Sequence, residues 1–214
     1  MTSLQHTLDA LRTKNLQDEA IKTAYDAVVR QLQLADSGSL ALKVGEPMPA
    51  FVLPNAEGKL VASDELLARG PLVVSFFRGD WCPYCRTMLQ AYEAALPGIT
   101  KAGGQLVAIT PDTGGAPSKT KHQHALHYEV LSDADSAIAL QFGVVFRAPD
   151  AYRAVLQSRG IDLPERHGND GWFIPIPATF VVDRRGIVRY AFADIDFTYR
   201  AEPDAIIGAL RALE

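Results

Sequence analysis

The segment Phe76-Phe77-Arg78-Gly79-Asp80-Trp81-Cys82-Pro83-Tyr84-Cys85-Arg86 decides how this chain reads. It holds both of the 2 cysteines, at Cys-x-x-Cys spacing. An apolar run, Leu72 to Phe77, leads into it, and a stripe of Met88, Leu89, Tyr92 and Leu96 leads out at helical spacing. The thiols are therefore expected on the first turn of a helix that leaves the end of a buried strand. Unpaired backbone N–H groups at a helix start favour negative charge, and the thiolate is the reactive form of cysteine. The spacing lets the two sulfurs close a tight disulfide, so the segment points to thiol redox chemistry.

Three plainer readings compete. A structural disulfide closing so short a loop stabilises a fold little. A zinc site normally takes four ligands, and His122, His124 and His127 offer a set to complete one. Nothing in such a site calls for Trp81 and Pro83, so no metal is expected and the histidines read as a surface cluster. Inert buried thiols are the third reading.

Size and composition bound the rest. The 214 residues suit one domain with a modest extension, and 48% hydrophobic residues supply a core. A net charge of −4, without a basic block, argues against nucleic acid or an anionic membrane as a partner. The longest apolar runs are strand-sized, so no segment is expected to span a bilayer. Asp9, Arg12 and Lys14 break up the N-terminus, which does not read as a secretory leader. The expected compartment is the reducing cytoplasm.

Residues 1–40 read as an N-terminal helical extension and 41–214 as the main domain. Leu4, Leu8 and Leu11 share one helical face, and Ile21, Tyr25, Val28 and Leu32 form a second stripe that ends at Asp36-Ser37-Gly38-Ser39. Two uses of these stripes stay open: packing on the chain's own domain, or pairing with a second copy as a homodimer. In the main domain, Phe51–Leu53 and Lys59–Val61 flank a hairpin turn, and Ser63–Leu67 opens a short helix. Strands are expected over Leu72–Phe77, Gln105–Thr110 and Tyr128–Leu131, and helices over Pro83–Leu96, Ser118–His127, Ser136–Phe142 and Asp150–Gln157. Residues 160–170 read as polar and irregular. A second hairpin, Ala178–Val182 and Gly186–Phe192, precedes a closing helix over Glu202–Leu213. Early strand–helix alternation followed by a hairpin predicts an α/β fold, with a mixed central sheet and helices on both faces.

Three stretches together resemble the peroxiredoxin branch of the thioredoxin fold, the alkyl-hydroperoxide-reductase/thiol-specific-antioxidant (AhpC/TSA) proteins. They are Gly45-x-x-x-Pro49-x-Phe51-x-Leu53-Pro54-Asn55, then Phe76 to Cys85, then Pro177-Ala178-Thr179-Phe180-Val181-Val182-Asp183-x-x-Gly186. The resemblance covers roughly Val44 to Leu213. Peroxiredoxins carry two aromatics and then Pro-x-x-x-Thr-x-x-Cys. On this chain Arg78 falls on their proline, Cys82 on their threonine and Cys85 on their peroxidatic cysteine. Pro177 falls where they keep a peroxide-holding arginine, and it resembles instead the cis-proline facing the cysteines of thioredoxins. Cys-Pro-Tyr-Cys is the tetrapeptide of glutaredoxins.

The resemblance implies a thiol-dependent peroxidase without a cofactor, acting on hydrogen peroxide or organic hydroperoxides, with thioredoxin, glutaredoxin or glutathione as reductant. A thiol–disulfide oxidoreductase is the alternative, and a redox sensor without catalysis a third. Cys82 and Cys85 are the catalytic candidates. In thioredoxin logic Cys82 attacks and Cys85 resolves; in peroxiredoxin logic Cys85 attacks and Cys82 resolves; both end in one disulfide. Around them, Arg78 and Arg86 are candidates to lower a thiolate pKa and orient a peroxide oxygen. Asp80 is a helix cap or a proton acceptor, Trp81 a lid beside the thiols, Tyr84 an entrance residue, and Pro177 a cis-proline. Thr110 and Trp172 are weaker pocket candidates, and His167 reads as solvated.

Overall fold

The computed structural model describes residues 3–213. Helix α1 (Leu4–Asn15) is capped by Ser3, whose hydroxyl accepts the His6 N–H, and α2 (Glu19–Leu34) by Asp18, whose carboxylate accepts from Ala20 and Ile21. Leu4 and Leu8 of α1, and Ala24, Val28 and Leu32 of α2, are buried. The stripes that left a partner surface open are thus largely covered by the chain itself.

A short antiparallel ribbon, β1 (Val52–Pro54) with β2 (Leu60–Ala62), opens the main domain and leads into α3 (Ser63–Arg69). Strand β3 (Leu72–Phe76) is buried at every position. Helix α4 (Pro83–Lys101) follows, then β4 (Gln105–Thr110), α5 (Ala116–Gln123), β5 (Glu129–Ser132) and α6 (Ala137–Gln141). Beyond them lie β6 (Val145–Arg147), α7 (Asp150–Ser158), α8 (Leu163–His167), β7 (Phe173–Pro175), β8 (Ala178–Val182), β9 (Val188–Ala193) and α9 (Pro203–Arg211).

The main sheet has five strands in the order β5-β4-β3-β8-β9. β3, β4 and β5 are parallel, while β8 runs antiparallel to both β3 and β9. This is the mixed α/β sheet that the alternation predicted. Central β3 and β8 are buried at every position, without alternation, because both faces are covered; their two polar side chains, Ser75 and Thr179, hydrogen-bond each other at 3.2 Å. Phe76, Phe142 and Phe180 knit the middle, with ring centroids 4.9 and 5.2 Å apart from Phe142 to the other two. Helix α1 packs on α4, and α2 on α7, so the extension lies over the end of the sheet where β3 gives way to α4.

Three short elements escaped the sequence. β6 and β7 pair antiparallel as a separate ribbon, and α8 interrupts the irregular tract. Helix α4 also runs past the expected stop at Leu96: Pro97 sits inside it, and Ile99 beyond it is fully buried. Packing of that last turn against α9 outweighs the lost backbone hydrogen bond. Among the described residues, no helix is long and apolar enough to cross a membrane.

Candidate active site

The site is built where β3 ends. Phe77 still donates its N–H to Ile109 O, at 2.9 Å, and the chain then turns through Gly79 at φ +121°. A side chain on Gly79 would meet Trp81 Nε1 at 2.5 Å and Asp112 Oδ2 at 2.8 Å, so only glycine fits this bend. Cys82 takes the N-cap position of α4 and Pro83 its first turn, where a missing N–H costs nothing. Cys85 lies one turn in. Both are free thiols and both are buried, at 1% and 0% exposure.

Two guanidinium groups enclose the pair. Arg78 is 1% exposed, with its guanidinium 4.0 Å from the Phe197 ring centroid, 4.7 Å from Trp81 and 5.4 Å from Tyr152. It also donates to the Tyr152 hydroxyl. Its backbone N–H reaches Cys85 Sγ at 3.4 Å. Arg200 Nη2 reaches the same sulfur at 3.5 Å, while its Nη1 donates to the carbonyls of Phe197 and Tyr199. Among the described residues neither guanidinium pairs with a carboxylate, so a thiolate is the natural counter-charge for both.

That electrostatics divides the two sulfurs. Burial opposes a charge on Cys82, but a hydrogen bond from Cys85 and the charges of Arg78 and Arg200 outweigh it and pull the thiol down to about 5. Cys85 is pushed well up by burial and by the neighbouring Cys82 charge. The reduced pair therefore holds one proton between two sulfurs, with the negative charge on Cys82.

A mainly apolar pocket of about 280 Å³ opens onto Cys82. Trp81, Tyr84, Tyr152 and Phe197 line it from the main domain, and Leu16 and Ile21 from the N-terminal helices. Cys85 is not on its wall. A larger cleft of about 750 Å³ lies at the opposite end of the sheet, beside Pro71 and Asp183, away from the thiols.

The remaining candidates divide. Trp81 covers Arg78, and the Tyr84 hydroxyl accepts from Asn15 Nδ2 at 3.3 Å at the pocket mouth. Asp80 is not the helix cap; its Oδ1 lies 2.6 Å from His124 Nε2. Arg86 is exposed and is not among the charges acting on either thiol, because its place on α4 turns it from the pair. Pro177 is buried at the start of β8, but its peptide bond is trans. Ile176 N–H bonds to Val144 O and the chain enters β8 extended, so no cis turn forms. Thr110 and Trp172 are buried but do not line the pocket, and His167 is buried beside Asp112, not solvated. Sequence reasoning missed Arg200, Tyr152 and Phe197. Their only signal was an aromatic on the helix from Asp150 and an arginine and a phenylalanine in a loop far along the chain.

A dithiol at the head of the helix that follows a central strand of a mixed sheet defines a thiol redox protein of the thioredoxin-like class. The comparisons with known proteins narrow this. The AhpC/TSA family matches residues 44–191, and the chain belongs to that family. A putative peroxiredoxin bcp of Coxiella burnetii is 25% identical over 149 residues, covering 70% of this chain and 87% of that protein. A chloroplastic peroxiredoxin Q of Suaeda salsa is 28% identical over 156 residues, which cover 72% of this chain and 62% of that protein. Among solved structures, peroxidoxin BcpB of Mycobacterium tuberculosis superposes with a TM-score of 0.63 at 23% identity, covering 81% of this chain and 99% of that one.

Proposed function

We propose that this chain is a thiol-dependent peroxidase working through Cys82 and Cys85. The observation that carries the reading is a buried cysteine pair held between two guanidiniums, with its charged member on the wall of an apolar pocket. A hydroperoxide ROOH enters beside Trp81. The Cys82 thiolate attacks the terminal oxygen, the O–O bond breaks, and the alkoxide leaves as ROH after taking a proton. Cys82 is then a sulfenic acid. The Cys85 thiol displaces its hydroxyl, which leaves as water, and a disulfide forms. Arg78 and Arg200 stabilise the negative charge that spreads onto oxygen in the first step. Two reducing equivalents reopen the bridge. Both hydrogen peroxide and organic hydroperoxides fit this scheme, and the apolar wall suits an organic arm.

Of the three reductants expected, glutathione best matches so buried a pair, because a small thiol can use the pocket, whereas thioredoxin or glutaredoxin requires surrounding elements to move. Such reductants are abundant in the cytoplasm, which fits the compartment expected from the sequence. Assembly as a homodimer through the N-terminal helices would have to use exposed residues such as Leu34, since the main apolar faces are covered.

A second order of events also has support. Arg78 N–H and Arg200 both point at Cys85 Sγ, the sulfur that falls on the peroxidatic position of the family. Single serine variants separate the two orders: after one pulse of peroxide, Cys82-first chemistry traps sulfenic acid in Cys85→Ser and none in Cys82→Ser. The peroxidase reading as a whole is tested by peroxide consumption with a glutathione or thioredoxin system. Turnover no faster than that of the double serine variant rejects it.

A further inference from the structure

Arg200 is the last group to arrive at the thiols, and it comes from a segment, 196–202, that lies outside the family-matched residues 44–191. The two N-terminal helices lie outside them as well. These two appended pieces are joined to each other. Glu202 accepts the first N–H groups of α1, from Leu4 at 3.0 Å and Gln5 at 2.8 Å, so its carboxylate caps the positive end of the helix. Gln5 Oε1 accepts the Arg200 backbone N–H at 3.3 Å.

Further along, Arg12 reaches Thr198 Oγ1 at 3.5 Å and Asp196 Oδ2 at 3.8 Å, and its guanidinium lies 5.2 Å from the centre of the Tyr199 ring. From α2, the Tyr25 hydroxyl donates to Asp196 Oδ2 at 2.5 Å, and its ring meets Phe197 edge-on at 5.3 Å. Residues 196–202 contain no helix or strand of the sheet before α9 starts at Pro203. Their shape is held by this set of contacts, by turns of their own around Asp196, and from the main domain by the Tyr92 hydroxyl, which donates to Ala201 O at 3.0 Å, and by Phe197 packing on Tyr84 and Tyr152.

We propose that the N-terminal helical pair is a positioning element of the thiol site: α1 and α2 hold the 196–202 segment so that Arg200 stays on Cys85 and Phe197 stays under Arg78. Gln5, Arg12 and Tyr25 are its positioning residues. This rests on Cys82 and Cys85 being the reactive pair, but not on peroxide being the substrate. A loop carrying a buried guanidinium that meets no carboxylate has a strong tendency to swing to water, where that charge is solvated. The helices supply the contacts that oppose this. They lie on the outside of the loop, and their own inner faces are buried against the main domain, so holding them holds it.

The test is made on the full chain, without peroxide. The double variant Arg12→Met, Tyr25→Phe, and separately the milder Gln5→Ala, are titrated by thiolate ultraviolet absorbance well below their melting temperatures. The double variant is expected to move the thiolate midpoint up by about one unit, leaving roughly a tenth of the thiolate at a given pH on the rising limb. Gln5→Ala is expected to move it in the same direction by less. The deciding comparison is a double-mutant cycle with Arg200→Met. If the helices act through Arg200, the clamp substitutions add nothing in that background. An unchanged midpoint in both clamp variants overturns the proposal, and so does a shift that persists in full without Arg200. Because the readout is thiolate population, a protein that proved not to consume peroxide would still answer the question.

Discussion

Replacing Arg200 by methionine removes one of the two charges that face the thiols while keeping most of the buried volume. Arg200 Nη2 lies 3.5 Å from Cys85 Sγ. Unit charges at that distance interact by about 5 kcal/mol at an effective dielectric constant of ~20, and by about 3 kcal/mol if the thiolate sits a sulfur further away. At ~1.4 kcal/mol per unit, about two to three and a half units of lowering are at stake. The thiolate midpoint, about 5 for Cys82 in the intact site, is therefore expected to rise to between about 7 and about 8.5. Near pH 6 the thiolate fraction falls roughly thirtyfold, and alkylation by iodoacetamide slows by the same factor. Two carbonyls, of Phe197 and Tyr199, also lose a charged donor, at a stability cost of about 1–3 kcal/mol. The assay is thiolate absorbance from acid to neutral pH, with the alkylation rate as a second probe. A midpoint within about half a unit of the wild type would refute the assignment of Arg200 as a thiolate partner.

Three further outcomes are expected. Burial raises buried Asp112 to about 6, against its ordinary 3.8, and lowers neighbouring His167 to about 4, against 6.5. Asp112 thus binds its proton more tightly when folded, and its contribution is lost as pH rises through about 4 to 6; His167 must take a proton to unfold, and its contribution is lost as pH falls through the same range. The two slopes oppose, so Asp112→Asn should make the protein weaken on acidification and His167→Gln on alkalinisation. Each change is at most about 3 kcal/mol by denaturant titration, and parallel pH curves for both variants would contradict it. Gly79→Ala should fold poorly, or lose thiol reactivity, because its methyl group meets Trp81 and Asp112 in a φ-positive bend; a variant with wild-type melting and reactivity would be inconsistent with that bend. Leu8→Ala, at a fully buried position of α1, should cost about 2–5 kcal/mol in one cooperative transition. A separate low-temperature transition would show instead that α1 unfolds on its own.

The sheet was legible because its central strands are buried on both faces and so appear as mainly apolar runs without alternation, at Leu72–Phe76 and Ala178–Val182, each broken by one small hydroxyl residue, Ser75 or Thr179. The cysteine loop was legible because chemistry and position coincide in one short segment. What stayed hidden depended on contacts between distant residues. β6 and β7 are three-residue strands separated by a helix-bearing excursion, too short to show a period. Helix α4 outran the expected end at Leu96 because the sequence does not show the α9 packing that carries it past Pro97. Pro177 looked cis by its place before Ala178-Thr179, while the actual constraint, Ile176 bonded to Val144, comes from the unseen ribbon. Arg86 was drawn in by adjacency to Cys85, yet neighbours on a helix point to different sides. Arg200 was passed over for the opposite reason: it is 115 residues from the sulfur it touches.

The central claim is that Cys82 and Cys85 pass reversibly between dithiol and disulfide as peroxide is consumed. Its most direct test is mass spectrometry of the fully reduced protein after one equivalent of hydroperoxide. The account predicts loss of two hydrogens, a proteolytic fragment linking Cys82 to Cys85, and recovery of both alkylatable thiols on adding glutathione. Peroxide left unconsumed with both thiols still free, or oxidation that stops at one sulfur without bridging, would contradict it.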